Sequence, residues 1–254
     1  MSARFSSRAH SRRCDPSRRK LRGLTSDPAA IARAVKRADL TYLTTARLEG
    51  LLSAVAELKR GKVAGDLGEY GVALGGSAIC IASTLDAGRR FVGYDAFGMI
   101  PAPTAADGDQ VAERYRVISS GQSRGIGGET YYGYHDHLYE AVVANFARFG
   151  LQVDDARIRL VRGLYEKTLT AKARFPIAFA HIDCDWYESV RLALAHLRER
   201  LKPAGMVIVD DYGGWQGCRQ ATDEFLAAHG DFTMLRETPH AVLVRHSSAR
   251  SASA

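Results

Sequence analysis

The stretches IAFAHIDCD (residues 177–185) and GMVIVDDYG (residues 205–213) decide the fold. Each is an apolar run without polar alternation, the pattern of a strand buried on both faces of a parallel sheet. Each ends in acids: Asp183 and Asp185 on the first, Asp210 and Asp211 on the second. An uncompensated ion in a low-dielectric interior costs several kcal/mol. Four carboxylates at the ends of two neighbouring buried strands therefore imply a cation, and carboxylate oxygens suit Mg²⁺ or Mn²⁺ rather than zinc. His181, Cys184 and Cys218 lack the number and spacing of a zinc set. On an extended strand His181, Asp183 and Asp185 share one face, with Ile177 and Phe179 continuing it into the core. Asp210 and Asp211 can meet one ion only if their strand ends there, and Tyr212-Gly213-Gly214 supplies that end.

Working outward, VAGDLGEYGVALGGSAICIAS (63–83) reads as a first strand ending near Glu69, a glycine-rich turn and a helix starting near Ser77. FVGYDAF gives a second strand ending at Asp95, and IRLVRGL a third. Val190, Leu194, Leu197 and Leu201 share one face of a helix, which Lys202-Pro203-Ala204-Gly205 ends. Cys218, Ala221, Phe225 and Ala228 mark another helix. FTMLRE and HAVLVRH close the chain as an antiparallel pair. Residues 27–60 read as helical, with Leu48, Leu51, Leu52, Val55 and Leu58 in one stripe. Strands alternating with helices predict an α/β fold with a mostly parallel sheet covered on both faces.

About 60 residues separate Asp95 from the third strand, against ~2–6 for a usual loop. The segment 96–156 is expected to be an inserted lid or substrate-binding element, with one helix marked by Leu138, Val142, Phe146 and Phe149. Its His135 and His137, and Tyr131, Tyr132, Tyr134 and Tyr139, are either packing residues or part of a substrate pocket.

The turn at Glu69–Ser77 is neither the Gly-x-Gly-x-x-Gly fingerprint nor a P-loop. Glycines leading into a helix let a ligand approach the helix N-terminus. An acid after the second strand, Asp95, can accept the hydroxyls of a ribose. Together they imply an adenosine-type ligand, which includes S-adenosylmethionine (SAM) as well as NAD. A dehydrogenase has no use for the acids at 183–185 and 210–211.

These residues resemble the macrocin O-methyltransferase (TylF-like) family. The matching motifs are Glu69-x-Gly71-Val72-x-x-Gly75-Gly76-Ser77, Tyr94-Asp95-Ala96-Phe97-Gly98 and Gly163-x-x-x-x-Thr168-Leu169. Next come His181-Ile182-Asp183-Cys184-Asp185-x-Tyr187-Glu188-Ser189 and Asp210-Asp211-Tyr212-Gly213, and then Gly217-Cys218-Arg219 with Asp223-Glu224-Phe225. The chain carries Tyr70 and Ala73 where the family motif has a small residue and an aromatic. The resemblance implies a class I SAM-dependent methyltransferase (Rossmann-like) fold with a seven-stranded, mostly parallel sheet. It implies cofactor contacts from Glu69, Gly71, Gly75, Ser77, Asp95, Phe97, Gly163 and Asp183. It also implies metal ligation by Asp183, Asp210 and Asp211, with Asp185 as the catalytic base. The implied reaction is methylation of a sugar hydroxyl on a glycosylated small-molecule acceptor of an antibiotic-type pathway, with a catechol or phenol as the alternative acceptor. Homo-oligomers and a bacterial cytoplasm are expected with it.

The chain has 254 residues and is 46% hydrophobic, enough for one large domain, expected over 27–254. Eight cations and one acid within residues 1–22 account for the whole net charge of +7. The remainder is neutral, unlike a nucleic-acid binder with cations spread over a face of its fold. Residues 1–26 are expected to be a basic disordered tail, without the apolar region of a secretory signal. No apolar stretch approaches the ~20 residues of a membrane span.

Overall fold

The computed structural model describes residues 27–170 and 175–246; the expected basic tail, 1–26, and Cys14 lie outside the described residues. Two helices lead the fold. α1 (Pro28–Arg37) starts at Asp27, whose carboxylate accepts the Ala29 N–H, with proline in the first turn. α2 (Thr45–Arg60) starts at Thr44, whose hydroxyl accepts the Arg47 N–H. Leu48, Leu51, Val55 and Leu58 are its buried stripe. The sequence reading placed one helical region over 27–60. The chain breaks it at Asp39, at φ 52°, and the Leu40 carbonyl then accepts the Gly76 N–H. This seats the α1–α2 link on the glycine turn.

The core elements follow as β1 (Asp66–Tyr70), α3 (Gly76–Ser83), β2 (Phe91–Asp95), α4 (Gly108–Ser119), α5 (Leu138–Arg148) and β3 (Ile158–Arg162). Then come α6 (Tyr165–Thr168), β4 (Ile177–Ile182), α7 (Tyr187–Arg198), β5 (Leu201–Val209), α8 (Gln216–Ala228), β6 (Phe232–Arg236) and β7 (Ala241–Arg245). The seven strands form one sheet in the order β3-β2-β1-β4-β5-β7-β6. Pairing is parallel from β3 to β5 and antiparallel for β5–β7 and β7–β6. Alternate strand residues feed two cores. Leu67, Phe91, Phe179 and Ile208 pack with α1, α2, α3 and α5 on one face. Ile177, Ala180, Ile182, Val207 and Val209 pack with α7 and α8 on the other. Burial of two apolar faces is the main stabilising term for such a sheet.

Three expectations need correction. Ile177 and Phe179 do not share a face: the β4–β5 register jumps from Ile177↔Leu201 to Phe179↔Met206, so they fall in opposite cores. The alternation breaks in β4 itself at Ala178, since on the β1 side too the register steps from Asp66↔Ile177 to Leu67↔Phe179; opposite it β5 bulges at Lys202–Gly205, where Ala204 has φ 62°. That stretch therefore belongs to β5, and α7 ends earlier, at Arg198. The segment 96–156 also contains two α-helices rather than one: α4 precedes the expected α5, with only Val111 and Ile118 buried along its length.

The inserted segment is anchored by Asp107. This buried residue accepts the Thr104 N–H at 2.7 Å and the N–H of Tyr187, the first residue of α7, at 2.6 Å. An anion at a helix N-terminus is favoured by the helix dipole. The insertion is thus tied to the loop that carries Asp183 and Asp185.

Candidate active site

At the carboxyl edge of the sheet, β1 is flanked by β2 on one side and β4 on the other. The connections run in opposite directions from this point, which opens a crevice. A cleft lies there, lined among others by Gly71, Asp95, Tyr132, Gly163, Asp183 and Asp185. Gly71 is obligatory on two counts. Its φ is 93°, and a Cβ would overlap the Asp183 carbonyl oxygen. Gly75, the N-cap of α3, has φ 90° and sits against Val142 and Phe146.

The residues expected to meet a cofactor divide into two groups. Gly71, Asp95, Gly163 and Asp183 line the cleft. Glu69, Gly75, Ser77 and Phe97 stand behind it. Glu69 is fully buried and pairs with His181 Nδ1 at 2.7 Å. Burial pushes its carboxyl up, and the His181 hydrogen bond opposes that shift. Ser77 is buried in the first turn of α3. Phe97 is buried edge-on against Tyr139, with centroids 5.1 Å apart. Asp95 accepts three backbone N–H groups, from Val72 (2.7 Å), Ala73 (2.9 Å) and Phe97 (2.6 Å). It thereby holds the turns after β1 and β2 together at the cleft wall. Burial nevertheless keeps its carboxyl above the ordinary range.

The acids converge. Oxygens of Asp183, Asp210 and Asp211 lie within 4.8 Å of one another. β5 ends at Val209, so the backbone turns at Asp210 and Asp211 and brings both toward β4. β4 likewise ends at Ile182. Asp185 therefore does not lie on an extended strand with His181, as alternation predicted; it occupies a loop with φ 58°. Trp215 Nε1–H donates to Asp185 Oδ1 at 3.2 Å and holds it. Positive φ at a non-glycine residue is strain that surrounding contacts must sustain.

Electrostatics set the four carboxyls apart. Burial, then the Asp210 charge, pushes Asp183 well above its usual range. Burial, then Asp185 and Asp183, does the same to Asp211. Asp185 is raised by burial, against the hydrogen bonds of Asp211 and Trp215. Asp210 moves the other way. Burial raises it, but His181, His240 and Arg47 outweigh that and hold it below the carboxylate range. His181 itself, lowered by burial but raised by Asp210, Glu69 and Asp183, is pushed up to about 10. Asp210 Oδ1 is buried without a direct hydrogen-bond partner among the described residues. Clustered, charge-starved carboxylates with an orphaned oxygen fit a hard divalent ion, which would favour their ionised forms.

Several residues were not legible as site members. Arg47 Nη1 meets Asp210 Oδ2 at 2.5 Å, and His240 Nδ1 faces Asp210 Oδ1 at 3.8 Å. Trp215 directly follows Gly213-Gly214, so its neighbourhood was marked, whereas nothing in the sequence marks Arg47 or His240. Of the tyrosines in the insertion, Tyr132 lines the cleft. Tyr134 packs, donating to the Ile118 carbonyl. His135 and His137 are exposed. Cys184 lines the cleft, and Cys218 is buried on α8; burial raises both thiols.

Comparison with known proteins adds the following. A family model described as macrocin O-methyltransferase (TylF) matches residues 8–238. The 8-demethyl-8-(2,3-dimethoxy-alpha-L-rhamnosyl)-tetracenomycin-C 4'-O-methyltransferase of Streptomyces olivaceus is 31% identical over 239 residues, covering 90% of this chain and 84% of that protein. The demethyldecarbamoylnovobiocin O-methyltransferase of Streptomyces niveus is 28% identical over 194 residues, covering 74% and 68%. The solved structure of the O-methyltransferase NovP superposes with a TM-score of 0.68 at 26% identity, covering 82% of each chain.

Proposed function

The chain belongs to the macrocin O-methyltransferase family, and from that premise we propose that it methylates a sugar hydroxyl of a glycosylated natural product, using SAM and Mg²⁺ (or Mn²⁺). It is an O-methyltransferase with a class I methyltransferase fold. The observation that carries the finer reading is the meeting of Asp183, Asp210 and Asp211 within 4.8 Å beside the glycine-lined cleft. The sugar acceptor is supported by the relative from Streptomyces olivaceus, whose name specifies a rhamnosyl-bearing compound.

When bound, SAM would supply an electrophilic methyl group, and the ion would supply positive charge that lowers the pKa of the acceptor hydroxyl. Asp183, Asp210 and Asp211 would hold the ion. Gly71 and Gly163 leave the cleft wall without side chains, so that a cofactor can lie close to the backbone. Asp185, fixed by Trp215, would take the hydroxyl proton, a role helped by the burial that raises its carboxyl above the ordinary range. Tyr132 closes the cleft from the insertion side. Fixing both reactants for an in-line displacement accounts for much of the rate gain in such reactions. A bacterial cytoplasmic setting and homo-oligomeric assembly belong to the same proposal and rest on the family resemblance.

The test is incubation with methyl-labelled SAM and paired acceptors, each glycoside beside its aglycone, with magnesium or with EDTA. Label on the sugar, lost with EDTA, is the expected result. Label on a catechol-type aglycone alone would transfer the reading to the phenolic alternative. Metal-independent turnover would remove the ion.

A further inference from the structure

One face of α2 is built against the acid cluster from outside the sheet. Arg47, in its first turn, places Nη1 2.5 Å from Asp210 Oδ2. Its side chain is 28% exposed and that of Asp210 only 3%. Gly50 lies three residues on, on the same helix face. A Cβ there would stand 2.7 Å from His240 Cε1, so glycine is the residue that lets this helix close over the imidazole. The other oxygen, Asp210 Oδ1, lies between His181 Nε2 at 3.9 Å and His240 Nδ1 at 3.8 Å. Asp210 is thus gripped at one oxygen by α2. Its second oxygen has no direct hydrogen-bond donor among the described residues.

We propose that Arg47 is a positioning residue of the metal site: by pinning Asp210 Oδ2 it fixes the carboxylate's rotation and so presents a preformed ligand to the divalent ion. The inference rests on the metal reading of Asp183, Asp210 and Asp211. The rival role is competition, in which a cation beside four acids weakens binding of another cation. The two roles move the ion's affinity in opposite directions when the guanidinium is removed, and a charge-assisted hydrogen bond to a carboxylate only 3% exposed favours orientation. Partners that orient ligating groups typically contribute 10–100-fold to metal affinity.

The experiment is titration of the purified full-length protein with Mn²⁺ alone, reading free ion by electron paramagnetic resonance, for wild type, Arg47→Met, Arg47→Lys and Asp183→Asn. Thermal melts are recorded alongside. Arg47→Met should weaken Mn²⁺ about 10–100-fold. Arg47→Lys should lie between, since a compact ammonium keeps the charge but not the planar fork. Unchanged or tighter binding by Arg47→Met overturns the proposal. If Arg47→Met melts below the assay temperature, Arg47→Lys decides: affinity equal to wild type overturns it. If wild type binds no Mn²⁺, or Asp183→Asn binds as wild type does, the metal reading itself has failed, an outcome distinct from failure of Arg47 alone.

Discussion

The Asp107 carboxylate and the Tyr187 N–H, 80 residues apart in sequence, meet at 2.6 Å. One buried acid of the insertion thus caps the helix that follows the Asp183–Asp185 loop. The same carboxylate serves Thr104, whose N–H and hydroxyl both donate to its second oxygen. Asp107→Ala leaves two backbone donors without their acceptor, and each such loss costs about 1–3 kcal/mol when buried. We expect destabilisation of about 2 kcal/mol or more in urea unfolding, with proteolysis enhanced between residues 96 and 156. A change below about 0.5 kcal/mol would show that the anchor is replaced by solvent.

Gly71→Ala joins a residue at φ 93° to a Cβ that overlaps the Asp183 carbonyl. The left-handed conformation alone costs about 1–2 kcal/mol, and relief of the overlap must move either the glycine turn or the Asp183 loop. Loss of SAM binding in equilibrium dialysis is expected together with a lower melting temperature. Gly213→Ala is the contrast, since a Cβ there meets nothing within 4 Å, and it should leave both nearly unchanged. Wild-type SAM affinity in Gly71→Ala would show that the cleft wall is not where the donor lies.

Much of this arrangement could be read from the chain because hydrophobic runs and acids carry their own physics. IAFAHIDCD and GMVIVDDYG read as buried strands, and acids at the ends of neighbouring strands point to the edge of the sheet. The bulge at Lys202–Gly205 was hidden, because alternation is a rule for regular strands and a left-handed Ala204 leaves no mark in hydrophobicity. α4 was hidden because two buried residues make too thin a stripe. Arg47 was hidden for a different reason. An arginine in a helix's first turn looks like any solvated cation until the fold brings Asp210, 163 positions away, to meet it. Tyr70, which departs from the family motif, is accommodated on the far side of the sheet, stacked on Tyr94 at 5.2 Å.

Asp183 and Asp185 are separated by one residue but should fail differently. Asp183→Asn removes a charge from the three-oxygen cluster. Methyl transfer should fall to background while SAM binding, measured by calorimetry without added metal, persists. Asp185→Asn keeps the Trp215 hydrogen-bond partner but cannot take a proton. Turnover should fall about 10²-fold or more, with Mn²⁺ affinity within a few-fold of wild type. Equal loss of metal binding in both variants would make Asp185 a ligand rather than a base.

His196 gives the chain a pH dependence that has nothing to do with the active site. It is buried on α7, and its Nδ1 pairs with the Tyr70 hydroxyl at 2.7 Å. Burial, and then the Arg200 charge, lowers its pKa to about 3, against about 6.5 in an unfolded chain. Between those values the unfolded state binds a proton that the folded state refuses. The stability that His196 confers is therefore complete above about pH 6.5 and is lost as pH falls toward 3. Integrating from pH 7 to pH 5 gives a loss of about 2 kcal/mol from this one group. His196→Gln keeps an acceptor for the tyrosine hydroxyl but binds no proton. Its unfolding free energy should fall less than that of wild type over the same interval, by about that amount, while the difference between them stays constant from pH 7 to pH 8. Parallel curves down to pH 5 would mean that His196 is charged in the folded state, and the Tyr70 hydroxyl would then have to act as acceptor instead of donor.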